Sequence, residues 1–204
     1  MVIMLDHITI AVSRAMLAQM REGFPNYRER FSEWGLRNIE AKKPFFQAPQ
    51  VDHDLLKLEQ EQGFPLELVA YETCTGISGV EMEPDLFTVH WPTWDAGASL
   101  LFWKTIGFKQ TGPDTLALRG PLDKRALYLT LREAPERPAH YLDQTGVAAI
   151  AFVVKGFDRI REKIVQAGFF CPPGELLCVN GKTRKIGFAQ GKCGELVELV
   201  SIER

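Results

Sequence analysis

The chain has 204 residues, enough for one large domain or two small ones, and 46% of them are hydrophobic, as in an ordinary globular protein. Its 24 Lys and Arg nearly balance 26 Asp and Glu, for a formal net charge of -2 with no basic stripe, which argues against nucleic acid or an anionic membrane surface as a partner. No apolar run approaches the roughly 20 residues of a spanning helix. The amino terminus MVIMLDHITIAV lacks a basic n-region and a cleavage site, and Cys74, Cys171, Cys178 and Cys193 form no CxxC pair, so a cytoplasmic protein with reduced thiols is expected.

One pattern recurs three times along the chain. Residues 5–12 (LDHITIAV) alternate as a strand, residues 14–34 have helical character, and residues 54–59 and 66–71 are strand-like. Residues 73–84 (TCTGISGVEMEP) read as a linker. A second unit opens with a strand at 86–91 (LFTVHW), continues with a helix at 96–106 stopped by Gly107, and closes with strand candidates at 108–111, 115–119 and 126–132. The third has a strand at 147–154 (VAAIAFVV), an amphipathic helix at 158–167 with Ile160 and Ile164 inward, and strands at 176–179, 184–189 and 195–200. The expected fold class is α+β: repeated βαβββ modules paired into a curved mixed-sheet cup with helices outside. The expected division is a first module at 1–74, a linker at 75–85 and a domain at 86–204 made of two paired modules, 86–137 and 145–204.

Three segments, TGVAAIAFVVKGFDRIREKIVQAGF with GKCGELVELV, LDHITIAV, and DAGASLLFWKTIGF, resemble the module of the vicinal oxygen chelate superfamily, which includes glyoxalases, bleomycin-resistance proteins and dioxygenases. In metal-dependent members, the resemblance implies, ligands come from the first and last strands of each module. The first-strand slot then falls on His7, Ala149 and, in the second unit, at or near Thr88. The last-strand carboxylate slot falls on Glu67, Glu198 and, in the second unit, around residues 128–130. The second and third units together supply one of the usual four ligands.

Strand alternation sorts the same residues by face. Phe87, Val89 and Trp91 form an apolar set, so Thr88 and His90 face the other way, as do Tyr128, Thr130 and Arg132. If the second and third units share a cup, His90, Glu198 and Tyr128 are the candidate catalytic group, with Thr88, Thr130 and Trp94 as ligand-binding residues. The competing readings are a distorted metal site, or a core in which His90 merely satisfies its neighbours. His7 and Glu67 are the candidate metal ligands; alone they make half a site. An odd number of modules leaves the first without a partner, so a homodimer is expected in which two copies of His7 and Glu67 hold a divalent metal ion such as zinc, nickel, iron or manganese. His53 and His140 read as solvated turn residues.

Two functions follow. One is a metal-assisted lyase, isomerase or dioxygenase acting on a small oxygen-bearing molecule; the other is a metal-free small-molecule-binding protein of the drug-sequestering, bleomycin-resistance type.

Overall fold

The computed structural model describes residues 1–136 and 140–202. The first unit consists of β1 (Val2–Ser13), α1 (Leu17–Glu22), β2 (Arg28–Arg37), β3 (Asp52–Glu59) and β4 (Leu66–Tyr71). The helical stretch expected over 14–34 is cut short: Gly23 caps α1 and Pro25 cannot continue it, and the charged run that follows becomes an edge strand. The second unit has β5 (Glu81–Glu83), β6 (Thr88–Thr93), α2 (Ala96–Ile106), β7 (Lys109–Gln110), β8 (Thr115–Leu118) and β9 (Leu127–Glu133). Asp95 caps α2 by accepting from the Ala98 N–H at 2.9 Å. The third has β10 (Gly146–Val154), α3 (Phe157–Gln166), β11 (Glu175–Val179), β12 (Lys182–Gln190) and β13 (Leu196–Ser201). The fold class is α+β as expected, strands outnumbering helices.

The pairing of units differs from expectation. An eight-stranded sheet runs β11-β12-β13-β10-β1-β4-β3-β2, so the third unit joins the first, edge to edge, through antiparallel β10 and β1. The second unit keeps a separate five-stranded sheet, β5-β6-β9-β8-β7, and the segment expected as a linker supplies its edge strand β5. The chemistry of the edges accounts for this. Strands β1 and β10 are long, almost wholly buried and free of proline. Strand β6 carries Pro92, which has no N–H to donate, and its remaining edge is filled by three-residue β5.

Curvature brings the two ends of the large sheet together: the Asn180 N–H, at the β11–β12 turn, donates to Glu33 on β2, and the Glu40 N–H donates to Glu175 at 3.2 Å. The second unit docks outside this cup. Trp91 and Trp103 stack edge to face within it at 5.4 Å, and Phe102 meets Phe169 of the third unit at 5.1 Å, so one hydrophobic core runs through all three units.

Candidate metal centre

Backbone register assembles the site. Strands β1 and β4 run parallel with Thr9 beside Glu67, and Ala151 of β10 pairs with His7 on β1 and with Glu198 on β13. Paired residues share a face of the sheet, so only a methyl group separates the bases of His7 and Glu198. His7 Nε2 lies 3.3 Å from Glu67 Oε1 and 3.9 Å from Glu198 Oε2, and one donor atom from each of the three lies within 4.8 Å of the others. All three residues are buried.

Asp6 and Lys57 hold this cluster from behind. Asp6 Oδ2 is 2.6 Å from His7 Nδ1 and accepts from the Lys57 ammonium at 2.9 Å, while Lys57 Nζ is also 2.7 Å from Nδ1 and 3.7 Å from Glu67. Burial opposes the charge on Asp6, but its His7 hydrogen bond and Lys57 keep it well below the usual carboxylate range. Burial would likewise lower the pKa of His7, yet the Glu67 carboxylate and the Asp6 hydrogen bond raise it to about 9. Glu67 is brought to about 2 against its own burial, by His7 and then Lys57. Glu198 goes the other way, raised by burial and by the nearby charge of Glu67.

The donor set fits a divalent cation. His7 Nε2 is buried and faces two carboxylates, Glu67 at 3.3 Å and Glu198 at 3.9 Å, while Asp6 orients the opposite nitrogen. An imidazole fixed from behind by a carboxylate is the usual support of a metal-ligating histidine. One nitrogen and two oxygens suit zinc, nickel, iron or manganese, and three protein ligands leave room for substrate, as catalytic centres require. The slot in which the resemblance places a second histidine is Ala149, which pairs with Thr9 at the seam.

No protein-family model matches the chain, and no curated protein does. Among solved structures it is similar to a candidate dioxygenase from Bacillus subtilis, 14% identical over 100% of this chain and 64% of that one, with a TM-score of 0.43. Glyoxalase I from Zea mays is 16% identical over 97% of this chain and 67% of that one (TM-score 0.41), and methylmalonyl-CoA epimerase from Mycobacterium tuberculosis 15% identical over 98% and 88% (TM-score 0.46). Such scores carry no residue and no reaction over to this chain. What decides the fold is its own topology: two βαβββ modules joined through their first strands, with first-strand and last-strand side chains converging in the cup. The chain is built on paired βαβββ modules that share one curved sheet.

Within that fold His7, Glu67 and Glu198 line a cavity of about 250 Å³. His53, Leu55 and Lys57, alternate residues of β3, line one wall, and Lys42 enters from the 3-10 turn Glu40–Phe45. His53 is only 1% exposed, and neither ring nitrogen has a hydrogen-bond partner; burial, followed by the charge of Lys42, lowers its pKa to about 2. The expectation of a solvated His53 is therefore overturned, and so is that for His140, which is buried with Nε2 2.7 Å from the Ala148 carbonyl. The usable signal was alternation over 53–57, which puts a histidine and a lysine on the same face as an interior leucine.

The other predicted site residues lie elsewhere in the fold. Thr88 pairs with Tyr128 and His90 with Thr130, so these four do share one face as alternation implied, but it belongs to the separate second sheet. Glu198 sits in the large sheet with His7, so the expected convergence of His90, Tyr128 and Glu198 is not found. His90 is instead paired with Glu83 on β5, Tyr128 is 44% exposed, and Trp94 is an exposed turn residue ahead of α2. None of Thr88, His90, Trp94, Tyr128 or Thr130 lines the cavity above the metal cluster. The partnerless first module is also corrected, since β10 occupies the edge of β1 that a second copy was expected to fill.

Proposed function

We propose that this chain is a metal-assisted enzyme of the vicinal oxygen chelate type that moves a proton on a small oxygen-bearing substrate, as a lyase or isomerase does. The observation that carries this reading is the convergence of buried His7 Nε2 with the carboxylates of Glu67 and Glu198 on one cavity. His7, Glu67 and Glu198 would hold the ion, and a bound divalent ion supplies Lewis acidity toward a carbonyl or a pair of neighbouring oxygens. The two carboxylates are unlike, and that sets their roles. Glu67 is kept ionised by His7 and Lys57. Glu198 has no hydrogen bond among the described residues and a raised proton affinity, which suits it to take a proton from substrate and return it. Asp6, through Nδ1, keeps the His7 ring aimed at the cavity.

The test is metal binding followed by calorimetry. Chelator-treated protein should take up about one zinc or manganese ion per chain, and His7→Ala or Glu198→Gln should weaken that uptake by at least about tenfold, in line with the loss of one ligand or its support. Wild-type protein that binds none of zinc, nickel, iron or manganese would sink the reading.

One observation favours the metal-free alternative. Protonated His7, Lys57 and Lys42 can balance Asp6, Glu67 and Glu198 with no ion present. On that reading a small molecule binds the cup equally well before and after chelation.

A further inference from the structure

Lys42 is 6% exposed and lines the cavity, yet its ammonium makes no hydrogen bond or ion pair among the described residues; its nearest recorded partner is the ring of Phe188, 5.8 Å away. His53, on the same cavity, leaves both ring nitrogens idle at 1% exposure. A buried polar group left unpaired costs stability, so the idle His53 ring, on the same cavity as an ammonium with no bond of its own, marks a place where something else completes the bonds. The surrounding charge says what that is. Lys57 is committed to Asp6, and Arg30, at the rim, to Glu59. A divalent ion would neutralise Glu67 and Glu198, leaving Lys42 without a counter-charge inside and Lys182 and Arg184 at the mouth. The cavity, about 250 Å³, is smaller than the roughly 300–1,000 Å³ of sites for drug-sized ligands.

We propose that Lys42 and His53 form an oxyanion subsite at the closed end of the cup, and that the substrate is a small carboxylate whose carboxyl group docks there while its remaining oxygens face His7, Glu67 and Glu198. A carboxylate has two oxygens to offer, which matches one ammonium and one imidazole N–H. Burial, and then the charge of Lys42, disfavours a protonated imidazole, so one nitrogen donates and the other remains free to accept from a hydroxyl of the same molecule. Leu55, between His53 and Lys57, and Ile186 supply apolar wall. The inference rests on the cup being the ligand site and adds the class of ligand.

The probes are malonate and inorganic phosphate, titrated by calorimetry into chelator-treated and zinc-loaded protein. Malonate should bind more tightly than phosphate. Lys42→Met should raise the malonate Kd at least tenfold, Lys42→Arg should restore it to within threefold, and Lys192→Met, an exposed lysine outside the cavity, should leave it within threefold of wild type. The zinc affinity of Lys42→Met should not fall, because the substitution removes a positive charge that acts on Glu67 and Glu198, and this separates the subsite from the metal centre. In wild-type protein the 15N resonances of the His53 ring should shift on malonate addition, a readout that survives even if a variant does not fold. Lys42-dependent malonate binding without any zinc binding would uphold the subsite and end the metal reading. Zinc binding with malonate affinity indifferent to Lys42, phosphate bound in preference to malonate, a silent His53 ring, or no binding of either anion at millimolar concentration would each overturn the subsite.

Discussion

His53 carries a cost that the fold alone does not repay. Replacing it by leucine, which keeps the bulk and discards two unpartnered nitrogens, should stabilise the ligand-free protein by about 1–2 kcal/mol, read as a higher urea midpoint at unchanged slope. An unchanged or lower midpoint would mean that the ring is satisfied in solution. The histidines also set the pH dependence. His140 and His53 have folded pKa values of about 4 and about 2, below the 6.5 of the unfolded chain, so the unfolded state takes up protons that the folded state refuses. Stability should therefore fall as pH drops below 6.5. His7 acts in the opposite sense: raised to about 9, its contribution is complete below 6.5 and is lost as pH rises through 9. Urea midpoints of metal-free protein at several pH values should peak near neutrality, and His7→Ala should flatten the alkaline limb, with a smaller change at acid pH because His7 also holds Asp6 and Glu67 ionised. Two of the three candidate ligands, His7 and Glu67, were legible from strand position and the resemblance. Glu198 was legible as a residue but was assigned to the wrong neighbours, because its partners depend on which modules meet.

Each element's own pattern could be read more surely than its neighbours. The third unit follows its sequence reading within a residue or two, since alternation and an amphipathic helix stopped by glycine are local signals. Which strands meet is a non-local matter. An apolar strand announces that it is interior without naming its partner, and the informative signs here were negative: Pro92 on β6 and the acidic β5 beside it. The seam itself can be probed. Ala151→Val adds two methyl groups between His7 and Glu198, and should weaken metal binding by at least about tenfold while costing about 1–3 kcal/mol of stability. The docking of the second unit rests on a close backbone approach. A Cβ at Gly120 would stand 2.1 Å from the Ile3 carbonyl oxygen, and Asp123 of the same turn accepts from the Leu5 N–H at 3.0 Å. Gly120→Ala should cost more than about 2 kcal/mol, measured by chemical denaturation, because backbone rather than a mobile side chain has to give way.

At the scale of the molecule, three modules remain an odd number, but the unpaired one is the second. Its open face carries Tyr128 at 44% exposure beside the His90–Glu83 and Arg132–Glu81 ion pairs, a polar surface unlike the buried seam of β1 and β10. The cup draws its lining from the first and third units, so His7, Glu67 and Glu198 all come from one chain. A homodimer, if formed, therefore has no ligand to contribute to this centre. The last prediction follows. On serial dilution of zinc-loaded protein, monitored by light scattering and by metal analysis of each fraction, zinc should stay at about one ion per chain whatever the oligomeric state. Metal content that falls in step with dissociation of a dimer would mean that a ligand is supplied across an interface, and the single-chain centre would have to be abandoned. Constant content in a particle of the mass of one chain would remove the symmetric two-histidine, two-glutamate site, and with it the reason for joining first modules from two copies.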